Sequence, residues 1–273
     1  MLEKEEMARK VALLIQRLPP MPDNISLLMA AEIDSHQEYR AMLGLIENDP
    51  GLCADLLHLA NDSCCDSDEI IETIDDAIQC IGIQPLVQLV GVSYAKKTIQ
   101  EEFVLLEHLN QYFEHSQEIS LSCRILAELL DMPKHQREMY AVIGLIHDIG
   151  RLVIMVASNR TSVPLMGTSW DEMISIVHDE KELLGMNHCE VGMQVCSNWN
   201  FSPILNEGVL RHHTPLIDDD FSPLGAVIFV SHFVAISDFT GQMLVERLPS
   251  EFLDRLNLSR SAFEKAQRIY NSW

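Results

Sequence analysis

The segment Leu145-Ile-His-Asp-Ile-Gly150 decides how the rest of the chain is read. It closes a run of helical period that starts near residue 135 and leads into the apolar stretch 151–157. Neighbours in a helix point about 100° apart, so His147 and Asp148 can serve one centre only where a helix is ending. In this reading Gly150 supplies the ending. Imidazole with carboxylate is a ligand set for Mn, Fe, Zn or Ni.

Working outward, nearly every stretch carries the helical period, and alternation bounded by turn signals is scarce. The spacing predicts an all-α protein with no sheet of three or more strands. A first helix runs over about 3–17 and stops at Leu18-Pro-Pro-Met-Pro22, where proline forces extended backbone. Asp23 opens a helix, and Asp49-Pro50 opens another as N-cap and first helical position. Thr73-Ile-Asp-Asp76 resembles a capping box whose helix ends at Gly82 in a left-handed cap. Pro85 opens a helix reaching about Thr98. Downstream, helices are predicted over about 107–130, 135–146, 171–184, 189–199, 203–211 and 223–237. Loops are predicted at 158–170 and 215–222. Two more helices follow in 243–273, the second opened by Ser261-x-x-Glu264.

Composition narrows the function. With 19 Lys+Arg against 41 Asp+Glu in 273 residues, the formal charge is −22. Such a surface repels phosphate backbones and anionic bilayers, which excludes general binding of long nucleic acid and disfavours the membrane surface. The start MLEKEEMARK has no apolar core of a secretory signal, and the seven cysteines form no C-x-x-C. These features predict reduced thiols and a cytoplasmic location. The charge-free run Ala77–Ala95 holds three Gln, a Pro and two Gly, and reads as core.

Histidine is abundant, with 11 residues. One histidine on a helix is most often a surface or satisfied core residue, and His36, His58, His108, His135 and His178 are read so. His115, His147, His188, His212, His213 and His232 form an ordered series. His212-His213, like His147-Asp148, stands where a helix should stop, before Pro215.

The ordered strings resemble the HDOD domain, the regulatory relative of the HD phosphohydrolases, over roughly residues 15–240. They are Leu18-Pro-Pro-Met-Pro22, Ile46-Glu-Asn-Asp-Pro50, Leu56-Leu-His-Leu-Ala-Asn61, Ile74-Asp-Asp-Ala-Ile78 with Ile81-Gly82, and Leu145-Ile-His-Asp-Ile-Gly150. Leu184-Gly-Met-Asn-His-Cys-Glu-Val-Gly192 and Arg211-His-His213 complete the series. The resemblance implies a helical bundle of the HD type. Residues 1–105 would form its N-terminal helical subdomain, 106–242 the HD-like core and 243–273 a helical tail. By position it implies metal ligation by His115, His147, Asp148, His188, His212, His213 and His232, around a divalent ion (Fe, Mn, Zn, Ni or Mg). Asp148 and Arg151 would be the catalytic candidates, Arg151 holding a phosphate as a fork.

Two positions depart from the enzymes of the superfamily. His232 stands where a final Asp is expected, and Gln111 where some two-metal relatives carry a carboxylate. The set is therefore short of one negative charge, and the expectation is one weakly held ion with little or no turnover. The resemblance implies a stand-alone signalling module that binds partner proteins, with a small nucleotide ligand and oligomerisation left open. The alternative is a metal-dependent phosphohydrolase acting on a small phosphate ester or cyclic dinucleotide. A helical structural protein with a satisfied histidine network is the third reading.

Overall fold

A helix with one apolar stripe needs neighbours on that side, and this chain supplies them almost entirely as other helices. The computed structural model describes residues 2–22, 39–40, 43–44, 46, 48, 53–54, 56–57, 60–61, 71–104, 106–107, 109–159 and 170–272. Its helices begin with α1 (Leu2–Arg17), α2 (Ile74–Ile81), α3 (Ile83–Glu102), α4 (Leu109–Leu129) and α5 (Lys134–Gly144). They continue with α6 (Ile149–Ala157), α7 (Trp170–Leu184), α8 (His188–Asn198) and α9 (Pro203–Arg211). After a hairpin of β1 (Leu216–Ile217) and β2 (Asp220–Phe221) come α10 (Pro223–Ala235), α11 (Gly241–Arg247), α12 (Ser250–Leu256) and α13 (Arg260–Tyr270). The all-α expectation holds. The helices expected from Asp23 and from Asp49-Pro50 start outside the described residues, as do Cys64-Cys65 and most of the loop 158–170.

Most helix starts follow the local chemistry. The Thr73 hydroxyl oxygen accepts from the Asp76 N–H and donates to the Asp76 carboxylate at 2.6 Å. Ser202 and Ser222 cap α9 and α10 in the same manner, each followed by proline. Gly82 differs from expectation. Its φ of 92° is positive but its ψ is 154°, so it is no left-handed cap. It turns the chain straight into α3, which starts before Pro85 and runs past Thr98. Residues 215–222 are a hairpin instead of plain loop, with Asp218 at φ 52° in its turn. Arg211 clamps that hairpin, donating to the Asp220 carboxylate at 2.8 Å and to the carbonyls of Thr214, Pro215 and Asp220.

The C-terminal part holds three helices from Gly241 onward where two were expected, and position 242 lies inside α11. The cap of α13 is Ser259, which accepts from the Ala262 N–H, and not Ser261. Glu264 has another partner, Arg260, at 2.7 Å. The expectation of reduced thiols fails at Cys80, which is disulfide-bonded, while Cys53, Cys123, Cys189 and Cys196 are free.

Packing places α4 at the centre, against α5, α10 and α13. α6 lies on α8, α8 on α9, and α9 on α10, while α1 crosses α6, α7 and α8. A contiguous apolar core joins all of them. The proline stretch is tied to this core. The buried Trp199 indole N–H donates to the Pro19 carbonyl at 3.0 Å. The segment Gln136–Ala157 is long and apolar enough to cross a bilayer, yet 89% of it is buried inside the protein, which marks it as core.

Two glycines mark backbone contacts near the histidines. A Cβ on Gly144 would lie 2.8 Å from Ser120 Cα, and one on Gly150 would lie 1.9 Å from the His188 carbonyl oxygen. Backbone therefore touches backbone between α4 and α5 and between α6 and α8, and this brings the residues around position 147 onto the start of α8.

Candidate metal centre

The helix break that lets His147 and Asp148 converge lies at residues 145–148, turns between α5 and α6. Gly150 is inside α6, so it does not end a helix. Its absent side chain serves the contact with α8. Asp148 is the N-cap residue of α6, at φ −97° and ψ 11°. His115 projects from α4, His188 is the first residue of α8, His212 and His213 follow α9, and His232 projects from α10. Five parts of the bundle thus aim imidazoles at one carboxylate.

Asp148 divides them into two groups. Its Oδ1 faces His188 Nε2 at 3.2 Å and His212 Nε2 at 3.4 Å. Its Oδ2 faces His147 Nε2 at 3.5 Å and His115 Nε2 at 3.9 Å. Asp148, His188, His212 and His213 form the inner group, and His115, His147 and His232 the outer one, each with ligand atoms within 4.8 Å of one another. Sequence reading expected one weakly held ion. The structure provides two ligand groups, because His232 turns its Nε2 to 3.1 Å from His147 Nε2 and builds a three-histidine set there. His178 lies outside both groups.

The protons on these rings are fixed by their outer contacts. His147 Nδ1 donates to the Gly144 carbonyl at 2.8 Å, His212 Nδ1 to Val209 at 2.7 Å and His232 Nδ1 to Ile228 at 2.9 Å. His188 Nδ1 donates to Glu180 Oε2 at 2.7 Å, and that same oxygen accepts the His188 backbone N–H. A neutral imidazole that donates from Nδ1 presents a bare lone pair at Nε2. His188 Nε2 and His212 Nε2 are 3.2 Å apart, so lone pairs face each other beside a carboxylate. His115 Nε2, both His213 nitrogens and Asp148 Oδ1 have no hydrogen-bond partner although buried. Bare ring nitrogens gathered around one carboxylate form groups that could hold a divalent cation.

Charge states agree with that reading. Burial, then His147, lowers His115 to about 3. Burial lowers His212 to about 4 and takes His213 and His232 well below the usual imidazole value. For Asp148 burial pushes upward, but the Arg151 guanidinium and then His147 overcome it and hold the carboxyl well below the ordinary range. Neutral imidazoles and an ionised carboxylate are the forms that ligate metal.

Arg151 is buried, with its Nε 3.2 Å from Asp148 Oδ1. Its neighbour in the structure is thus Asp148, where a phosphate was expected. Sequence reading missed Glu180, since nothing in the spacing of α7 marks one acid among several. It also passed over Cys189, whose Sγ lies 3.6 Å from His188 Nε2 and 3.9 Å from His212 Nε2. Adjacency to His188 was the available signal.

The outer group meets a cavity of about 710 Å³, which His115 and His232 help to line. Gln111 is on its wall, with Glu114, Glu118, Asp171 and Asp238. Arg247 is the guanidinium of this lining. It pairs with Asp171 at 3.5 Å and lies over the Trp170 ring at 5.4 Å. Burial and then Glu114 raise Glu118.

Comparison with known proteins completes the picture. A sequence profile of the HDOD domain matches residues 18–215. An uncharacterized protein of Treponema pallidum (strain Nichols) is 21% identical over 272 residues, 98% of this chain and 52% of that protein. The chain therefore spans about half the length of this curated relative. A crystal structure of an HDOD domain protein of unknown function from Geobacter sulfurreducens superposes with a TM-score of 0.63 at 18% identity, covering 97% of this chain and 93% of that one. A proposed phosphohydrolase from Shewanella amazonensis SB2B gives 0.62 at 20%, covering 95% and 93%. A proposed signal transduction protein from Marinobacter aquaeolei VT8 gives 0.61 at 17%, covering 99% and 64%. These likenesses establish a common fold. With the profile spanning most of its length and the histidine series assembled around Asp148, the chain belongs to the HDOD domain family.

Proposed function

We propose that the chain is a metal-holding signalling module that acts through partner proteins and does not turn over phosphate esters. The observation that carries this reading is the charge at the mouth of the outer ligand group. Four carboxylates, Glu114, Glu118, Asp171 and Asp238, line the cavity with one guanidinium, Arg247, which already pairs with Asp171. A phosphorylated substrate entering there meets like charge in a partly closed space. Arg151, the expected phosphate fork, is buried against Asp148. Both features weaken phosphate binding and leave the ligand set itself intact.

The residues fit a divalent ion. The inner group offers His188, His212, His213 and Asp148, and the outer group His115, His147 and His232. Such an ion, when bound, supplies a Lewis acid and a fixed positive charge. The chain's own residues do the orienting. Gly144, Val209 and Ile228 carbonyls and the Glu180 carboxylate fix the ring tautomers, and Arg151 holds Asp148 ionised and aimed. In a signalling module the ion would lock α4, the α5–α6 turn, α8 and α10 in one arrangement for a partner to recognise.

The second reading is a metal-dependent phosphohydrolase on a small phosphate ester or cyclic dinucleotide. It is favoured by Asp148, whose two oxygens face the two groups as a two-ion hydrolase requires. The deciding experiment measures the metal content of the purified chain and its hydrolysis of a generic phosphodiester and phosphomonoester with Mn²⁺, Fe²⁺ or Zn²⁺. Bound metal with background turnover is expected. Robust hydrolysis that disappears in Asp148→Ala would overturn the proposal in favour of the enzyme.

A further inference from the structure

The departure at His232 leaves the ligand set without the final carboxylate that the resemblance implies, and the start of α8 places another residue able to ligate beside it. Cys189 follows His188 at the start of α8 and is buried. Its Sγ, His188 Nε2 and His212 Nε2 form a triangle with sides of 3.6, 3.9 and 3.2 Å. The centre of such a triangle is about 2.1 Å from every corner, close to the distances at which Zn²⁺ holds imidazole nitrogen and thiolate sulfur.

The fourth corner is Asp148 Oδ1, at 3.2 Å from His188 Nε2 and 3.4 Å from His212 Nε2. With metal–nitrogen and metal–oxygen bonds of about 2.0–2.1 Å and metal–sulfur of about 2.3 Å, tetrahedral angles put nitrogen and oxygen about 3.4 Å apart and nitrogen and sulfur about 3.6 Å apart. The two nitrogen–oxygen edges and the 3.6 Å nitrogen–sulfur edge are close to those values, and the second nitrogen–sulfur edge is longer, at 3.9 Å. Asp148 Oδ1 is buried and makes no well-aligned hydrogen bond, although the Arg151 Nε lies 3.2 Å from it, so an ion would share this oxygen with the guanidinium.

We infer that Cys189 is a metal ligand, and that the inner group is a tetrahedral Cys-His-His-Asp site for a borderline ion of the Zn²⁺ class. Soft thiolate with two imidazoles selects Zn²⁺ and Co²⁺ over Mg²⁺ and Mn²⁺. Binding replaces the S–H bond by a metal–sulfur bond and releases that proton to solvent. His213 is then freed from the inner set, and its two unpartnered nitrogens remain beside it. The thiolate and Asp148 together neutralise a divalent charge, which the sequence-level count of one carboxylate did not allow.

This inference rests on the metal-holding reading, and one experiment separates their failures. The full chain is stripped with chelator, loaded with Co²⁺, and examined for bound cobalt and for the near-ultraviolet thiolate-to-cobalt charge-transfer band. The native chain should bind cobalt and show the band. Cys189→Ser and Cys189→Ala should lose the band, while Cys196→Ser keeps it. Affinity for Zn²⁺ should fall in both Cys189 variants by at least the roughly 10- to 100-fold that loss of an outer hydrogen-bond partner costs. Zn²⁺ addition to the native chain should release one proton more than addition to Cys189→Ser. Cobalt bound without the band in the native chain would overturn the thiolate ligand and leave the metal-holding reading standing. No bound cobalt at all would overturn both. The native spectrum is decisive even where a variant does not fold.

Discussion

The two ligand groups on either side of Asp148 differ in how the bundle encloses them. The inner group is walled by α6, α8 and the end of α9, and His188 and His212 are completely buried. Its rings are pinned by the Glu180 carboxylate and the Val209 carbonyl. The outer group meets the other oxygen of Asp148 through His147 and His115 but opens onto the acidic cavity, and the His115 side chain is 14% exposed. Closed sites with complete ligand sets hold metal for structure, whereas sites with an open position exchange it or work on it. The contrast teaches that the two oxygens of one carboxylate can face a closed histidine group and an open one.

The largest effect should come from removing the residue both groups share. Asp148→Ala takes away the carboxylate and leaves the Arg151 guanidinium buried without its ion partner. Breaking a buried pair from one side costs about 3–5 kcal/mol. Urea unfolding of the metal-free variant should show a loss of this size, and metal analysis should show both groups depleted. A variant as stable as the native chain would mean that Arg151 does not depend on Asp148.

Metal addition sharpens the contrast next. Zn²⁺ at a hundred times its dissociation constant should stabilise the stripped chain by about 2.7 kcal/mol for one site. His188→Ala should abolish most of that gain, and His115→Ala should keep most of it. Equal losses in the two variants would erase the distinction between inner and outer groups.

A smaller effect is expected at Glu180. Replacing it by Gln removes the charge that anchors His188 Nδ1 without emptying the space. Metal affinity of the inner group should fall roughly tenfold, as for other outer partners of ligating histidines. Equilibrium dialysis against a Zn²⁺ indicator measures this, and His115→Ala in the same background shows whether the outer group is untouched.

The smallest effect belongs to the mouth. Glu114→Gln with Asp238→Asn removes two of its carboxylates, neither of them a proposed ligand. The association rate of a divalent ion with the outer group should drop a few-fold at low salt, with the difference vanishing as salt screens it. Stopped-flow capture of Co²⁺ tests this, and the inner group's rate should not change.

Much of this was legible without coordinates, because the relevant signals are local. The helical period, the prolines at 19, 20, 22, 203 and 223, and the caps at Thr73 and Ser202 are written within a few residues of where they act. The histidine series was legible as an ordered set, and all seven expected ligands meet. Other features depend on what comes to lie opposite. Gly150 was read as the end of a helix, and only the crossing of α6 over α8 reveals that its hydrogen makes room for the His188 carbonyl. Ser259, not Ser261, caps α13, and its oxygen accepts from the Ala262 N–H.

The chain's own periodicity and spacing carried the helical class and the order of six histidines and one aspartate that resembles the HDOD family, because those are properties of the sequence alone. The tertiary structure decided how those seven residues divide. Ring tautomers depend on carbonyls three or four positions back and on Glu180 from another helix, and the two faces of Asp148 depend on four elements converging at once. The same holds for Cys189. Its distances to His212 on the next helix come from folding, because ligand geometry is a relation among side chains and no single segment carries it.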